Sequence, residues 1–129
     1  MKKFDVVFKN GKIVTENGVQ DCDIGIADGK ICEIGKINAE AKIVENVSNL
    51  LVLPGGIDAH VHIDQPSGPD VEMADNFQCA TKSAAAGGNT TVLPFAMQEK
   101  GQSLRECVEN YHKKARGNLF VDTLSLIHI

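Results

Sequence analysis

Leu51-Val52-Leu53-Pro54-Gly55-Gly56-Ile57-Asp58-Ala59-His60-Val61-His62-Ile63-Asp64-Gln65-Pro66 is the stretch on which the reading of this 129-residue chain turns. It opens as an apolar run, turns at Pro-Gly-Gly, and then alternates. Successive side chains of a strand point to opposite faces of the pleat. The alternation therefore predicts Asp58, His60, His62 and Asp64 on one face, and Ile57, Val61 and Ile63 on the other. Lying between an apolar run and a predicted crossover helix, this row falls at the mouth of a barrel or sheet. There His60 and His62 can converge on one metal ion. Residues two apart on a strand rise ~6.5 Å along it, and imidazoles leaning together span that with metal–nitrogen bonds of about 2.0–2.1 Å. Neutral imidazole is also the commonest metal-donating side chain. A bare H-x-H also describes two unrelated surface histidines. Pro54-Gly55-Gly56-Ile57-Asp58-Ala59-His60-Val61-His62 is a far rarer string.

That string resembles the first metal-binding strand of the amidohydrolase superfamily, and most closely the cyclic amidohydrolases of the dihydropyrimidinase and hydantoinase branch. Asp64, Pro66 and Gly68, then Ala74-Asp75-Asn76-Phe77, then Ala84-Ala85-Ala86-Gly87-Gly88-Asn89-Thr90-Thr91 continue the resemblance in order, from roughly Phe4 to Asp122. It implies an N-terminal antiparallel β-sheet or sandwich portion, completed in the family by strands from the far C-terminus. It further implies the first βα units of an α/β (β/α)8 TIM barrel. Such a barrel needs about 250 residues, so the chain reads as truncated. By resemblance, His60 and His62 bind one Zn2+ of a two-zinc site, and other divalent metals also suit these donors. The zinc pair holds the hydroxide that opens a dihydropyrimidine or hydantoin to an N-carbamoyl amino acid. The bridging carboxylated lysine, the remaining histidines and the catalytic aspartate lie beyond these residues. No catalytic residue is therefore expected within the chain, which alone should be inactive. The implied partner is a small-molecule cyclic amide or ureide, and the implied assembly a homo-oligomer, a tetramer.

Composition agrees with an ordinary globular protein. A net charge of −4, with scattered lysines and arginines, gives no electrostatic case for nucleic acid or an anionic membrane. No apolar run approaches the ~18 residues of a membrane span. Met1-Lys2-Lys3 is followed by an alternating strand rather than the apolar core of a signal peptide. Cys22, Cys32, Cys79 and Cys107 match neither a zinc-ribbon nor a C-x-x-C spacing, so the expectation is a reducing cytoplasm with thiols buried as small hydrophobes.

Three segments are expected: residues 1–53 as the β-sandwich part, 54–122 as the barrel start, and 123–129 as a tail outside the family pattern. In the first, Asn10-Gly11, Asn17-Gly18 and Asp28-Gly29 read as hairpin turns between short strands. Phe4–Lys9 and Lys12–Thr15 would be the two arms of the first hairpin. Pro54-Gly55-Gly56 marks the boundary, its glycines admitting backbone conformations that other residues resist. Beyond it the rhythm becomes strand, helix, strand, helix, strand. Asp75 with Gln78 predicts the N-terminus of one helix, and Ser103 with Glu106 that of the next. Leu104, Cys107, Val108, Tyr111 and Ala115 give the second helix a buried face. Leu119–Asp122 begins a third strand. Thr123–Ile129 departs from the resemblance and suggests a truncated gene model or sequencing junction, with His128 unrelated to the family's strand-end histidine.

Around the histidines, two readings of Asp58 stand side by side: a carboxylate accepting an imidazole N–H, or a strand-start carboxylate bonding backbone. Asp64, Gln65 and Ser67 fall in the loop expected to face substrate, with a simple turn role an equal reading of Asp64. Gln65 and Ser67 replace the bulky apolar residues usual in hydantoinases, which implies a smaller or more polar ring substituent than an aryl group. His112 is read as a solvated surface residue. Dihydroorotase-like enzymes place an arginine where Asp64 stands, which argues against them. An allantoinase-like enzyme is the runner-up. The non-catalytic dihydropyrimidinase-like assembly proteins lack the histidine pair that this chain retains.

Overall fold

A computed structural model describes residues 3–128, with side chains described for residues 3–126. The chain divides into two compact units, Met1–Pro54 and Gly55–Ile129.

The first unit contains β1 (Phe4–Thr15), β2 (Gly18–Ala27), β3 (Lys30–Gly35), β4 (Ala41–Asn46) and β5 (Leu51–Val52) in one sheet, ordered β3-β2-β1-β4, with β5 also on β1. β1, β2 and β3 pair antiparallel, but β4 and β5 run parallel to β1. The expectation of a purely antiparallel arrangement is thus corrected to a mixed sheet. After β3 the chain crosses to the far side of β1, and that crossover carries Ile37 into a core with Phe4 and Val7. Gly25 makes room for this core, since a Cβ there would sit 2.5 Å from the Phe4 ring.

Asn10-Gly11 does not turn the chain. β1 runs straight through it, with an extra residue between Phe8, paired with Ile24, and Gly11, paired with Cys22. Asn10 takes a left-handed φ of 62° in this bulge. The positive φ that favours Asn-Gly in a hairpin also suits a bulge, so the dipeptide does not distinguish them. What decides is the N–H freed by the bulge, which donates to Asp23 Oδ1 at 2.9 Å. Asp28-Gly29 does form a tight turn, with φ of 50° and 69° as a type I′ hairpin requires.

Asp23 is buried at 6 % exposure and joins the bulge to the crossover. It accepts from the backbone N–H groups of Asn10 and Ile37 and pairs with Lys9, which also donates to the Ile37 carbonyl. Burial alone would raise the Asp23 pKa, but the two backbone donors and the Lys9 ammonium outweigh it and hold the carboxyl below its usual range.

The second unit contains β6 (Gly56–Val61), α1 (Phe77–Ala86), β7 (Asn89–Met97), α2 (Leu104–Ala115), β8 (Asp122–Thr123) and β9 (Leu126–His128). β6, β7 and β8 form a parallel sheet in that order, and β9 pairs farther along β7. The third strand therefore starts at Asp122 rather than Leu119, and residues of the C-terminal segment continue the sheet beside β7. The reading of His128 concerns its side chain, which lies outside the described residues. Val92 and Ala96 of β7 pack with Ile63, Phe77, Cys107, Tyr111 and Ala115 in the core beneath the two helices.

The helix signals are off by one residue at α1 and right at α2. The α1 N-cap is Asn76, whose side chain accepts from Cys79 N at 3.0 Å, not Asp75. The carbonyl of Asp75 is taken by the N–H of Asp64. Ser103 caps α2 as expected, accepting from Glu106 N. Gly55 and Gly56 owe their place to close approach rather than to unusual backbone, since neither has positive φ. A Cβ on Gly55 would lie 2.1 Å from Thr90. The cysteine expectation is corrected too: Cys107 is buried, but Cys32 and Cys79 are exposed. Among the described residues no helix is long and apolar enough to cross a membrane.

Tyr111 on α2 is buried, and its hydroxyl donates to the carbonyl of Ile63. Burial, with the nearby charge of Asp64, pushes the phenol pKa up, so it stays a donor at neutral pH.

Two stability predictions follow from these bonds. Asp23→Asn should cost about 1–3 kcal/mol at neutral pH, the range for leaving buried donors unsatisfied. Because the native Asp23 pKa is depressed, its contribution is present above the unfolded value of about 3.9 and is lost as pH falls through the native value. Thermal unfolding of both forms from neutral to acid pH should therefore converge at the acid end. Tyr111→Phe should cost about 0.5–1.5 kcal/mol in denaturant unfolding, the net value of one hydrogen bond.

Candidate metal centre

The candidate site forms where β6 ends beside β7. Asp58 is registered with Val92 but Val61 with Pro94, so three steps on β6 face two on β7. This irregularity reverses side-chain parity across Ala59 and His60. The expected row of four ionisable groups on one face is corrected accordingly. Asp58 comes out on the register face of Val92, opposite to His60 and His62. Its Oδ1 accepts the backbone N–H of His60 at 3.1 Å, the backbone-bonding arrangement. Ile57 is 67 % exposed and takes the parity of the histidines.

His60 and His62 are both exposed, and their ring centroids lie 5.3 Å apart with planes tilted by 47°. Both rings rest against Phe95 of β7, with centroids 4.3 and 5.7 Å away. The spacing suits a shared ion. Metal–nitrogen bonds of about 2.1 Å set each ring centre ~3.2 Å from a metal, and a tetrahedral angle then separates the centres by ~5.2 Å. Among the described residues, no group of three or more His, Cys, Asp or Glu side chains comes together, so the two imidazoles form a partial donor set.

The backbone after the histidines is held from α2 and the α1 approach. Besides the Tyr111 bond to Ile63, Lys114 Nζ reaches both the carbonyl and Oδ1 of Asp64, each at 2.9 Å. The Asp64 N–H donates to Asp75 O at 3.0 Å, and Asp64 takes a left-handed φ of 48°. Asp64 is thus a loop-fixing residue in an ion pair with Lys114. Gln65 is bonded on both sides, to His62 Nδ1 at 2.7 Å and to the Phe95 carbonyl at 2.8 Å. Ser67 is exposed and lines a recess with Asp64, Gln65, Glu72, Met73 and Asn76. His112 is exposed, as read, and its Nε2 lies 2.9 Å from Ser125 Oγ.

Phe95 and Lys114 were missing from the sequence reading. Phe95 lies in an alternating strand in which Val92, Pro94 and Ala96 are buried, so its parity sets it opposite the helices. Lys114 sits one turn from Tyr111 on a helix whose buried face was legible. Nothing in the sequence signals its bond to a loop fifty residues earlier.

Residues 1–59 match the family description Urease alpha-subunit, N-terminal domain. The chain is 42% identical over 118 residues to a D-hydantoinase of Rhizobium radiobacter, covering 92% of this chain and 26% of that protein. It is 37% identical over 124 residues to an allantoinase of Bacillus licheniformis, covering 95% and 27%. A solved D-hydantoinase structure superposes with a TM-score of 0.91 at 38% identity, over 98% of this chain and 27% of the other. The chain thus spans about a quarter of the length of the relatives it matches. With the histidine pair at the strand end and these similarities along nearly its whole length, the chain belongs to the amidohydrolase superfamily, as a homologue of the N-terminal part of the D-hydantoinases and allantoinases.

Proposed function

We propose that the protein to which this chain contributes is a metal-dependent cyclic amidohydrolase. It hydrolyses a ring C–N bond of a dihydropyrimidine or hydantoin and releases an N-carbamoyl amino acid. The observation that carries the reading is the pair of imidazoles 5.3 Å apart at the end of a parallel strand, in a chain 42% identical to a D-hydantoinase. On this reading residues 1–53 are part of a β-sandwich, and β6-α1-β7-α2 with β8 and β9 opens a (β/α)8 barrel. Active sites of such barrels lie at the C-terminal ends of the strands, where His60 and His62 stand. Exposed cysteines such as Cys32 and Cys79 suit a reducing cytoplasm, and the family resemblance favours a homo-oligomer.

His60 and His62 would hold a divalent cation, with zinc the best match to two imidazoles. When bound, such a cation polarises the scissile carbonyl and makes water a nucleophile at neutral pH. Phe95 gives both imidazoles an apolar floor that excludes water from one side. Tyr111 and Lys114 hold the chain just past His62, which limits the reach of the ring. The substrate side of the loop presents Ser67 beside Asp64 and Glu72, a polar rim that favours a small or polar ring substituent.

In the full-length protein, His60→Ala and His62→Ala should each lower metal content, measured by elemental analysis. Each should lower kcat/KM by more than the ~10–100-fold typical of groups that only orient a ligand. Wild-type protein should open dihydrouracil and unsubstituted hydantoin in preference to phenylhydantoin. Full activity after metal removal, or hydrolysis confined to acyclic amides, would overturn the proposal.

A further inference from the structure

We infer that Gln65 is a positioning residue: it locks His62 in the tautomer that carries its proton on Nδ1, leaving Nε2 as the metal donor. The inference rests on the reading of His62 as a ligand, and it assigns to Gln65 a role other than contact with substrate.

The bonding pattern leaves little choice of proton placement. The Phe95 carbonyl oxygen lies 2.8 Å from one polar atom of the Gln65 amide. A carbonyl carries no proton, so that atom must be the amide nitrogen; turning the amide over would set oxygen against oxygen. The Gln65 oxygen then faces His62 Nδ1 at 2.7 Å and can only accept, so Nδ1 must donate. Turning the ring over would instead put a carbon at that distance, well inside the ~3.3–3.6 Å of a C–H···O contact. In neutral imidazole one nitrogen carries the proton and the other keeps its lone pair, and the partner of the first decides which. Free histidine in water favours the opposite tautomer, with the proton on Nε2. Gln65 thus supplies a bias the side chain does not have by itself.

The same bonds fix direction. Phe95 O belongs to the strand whose ring underlies both imidazoles, so β7 contacts His62 through the Phe95 face and, by way of Gln65, at Nδ1. Each bond uses one donor and one acceptor site of the Gln65 amide, so this role needs no contact with substrate.

Imidazole nitrogen NMR of metal-free, histidine-labelled full-length protein tests this, recorded well above the ordinary imidazole pKa of ~6.5. A His62→Asn variant identifies the signals. The expected spectrum shows His62 with its proton on Nδ1. In Gln65→Leu, His62 should move to the Nε2–H form while His60 is unchanged, and zinc affinity should fall by ~10–100-fold. A His62 tautomer that is Nε2–H in wild type, or the same in wild type and Gln65→Leu, overturns the inference. So does a zinc affinity that Gln65→Leu leaves unchanged. If the tautomers behave as expected but wild-type protein binds no zinc, the grip of Gln65 on His62 is upheld and the metal reading of the site is what fails.

Discussion

The arrangement of the second unit depends on β7 having two unlike faces. Val92 and Ala96 point to the helices and are sealed under Phe77, Tyr111 and Cys107. Phe95 has the opposite parity and meets His60 and His62. Burial of the first face fixes the register of the strand, because a slip by one residue would turn Val92 and Ala96 outward. Fixing the register in turn fixes where Phe95 and its carbonyl stand. Hydrophobic burial is thus converted into placement of two polar rings, with no polar residue of β7 involved.

In the first unit the comparable constraint is a single carboxylate. Asp23 gathers the N–H of a bulged Asn10, the N–H of Ile37 in the crossover, and the ammonium of Lys9. A bulge on one strand and a crossover from another leave donors without ladder partners, and a buried donor left alone is costly. One ionised acceptor serves both. The strand and its crossover are therefore coupled through a side chain that sequence patterning marks only as a polar residue in an apolar strand.

Local signals were legible where one residue type serves one geometry. Asp28-Gly29 gave a turn and Ser103 a cap, because the residue type alone suits the geometry: left-handed φ at Asp28 and Gly29, and a hydroxyl acceptor at Ser103. Asn10-Gly11 misled because left-handed backbone serves bulges and turns alike, and the choice was made by Asp23, thirteen positions away. Asp75 lost the α1 cap to Asn76 because its carbonyl answers Asp64 across the loop. At the candidate site, the two histidines were visible in their spacing and flanks. Alternation put Asp58 beside them, but the extra residue on β6 undid that parity. Gln65 read as a substrate contact from its place in the loop. Its two bonds reach residues three and thirty positions away, and only folding brings the second into range.

The register break between Asp58 and Val61 uncouples the aim of the histidines from the start of their strand. Upstream of Ala59 the strand is in register with β7 at Ile57 and Asp58; downstream the chain is held at Ile63 and Asp64, which α2 grips. The break acts as a clutch between the two. The direction of the two imidazoles is therefore set by what holds the chain beyond the break, not by the alternation that leads into it.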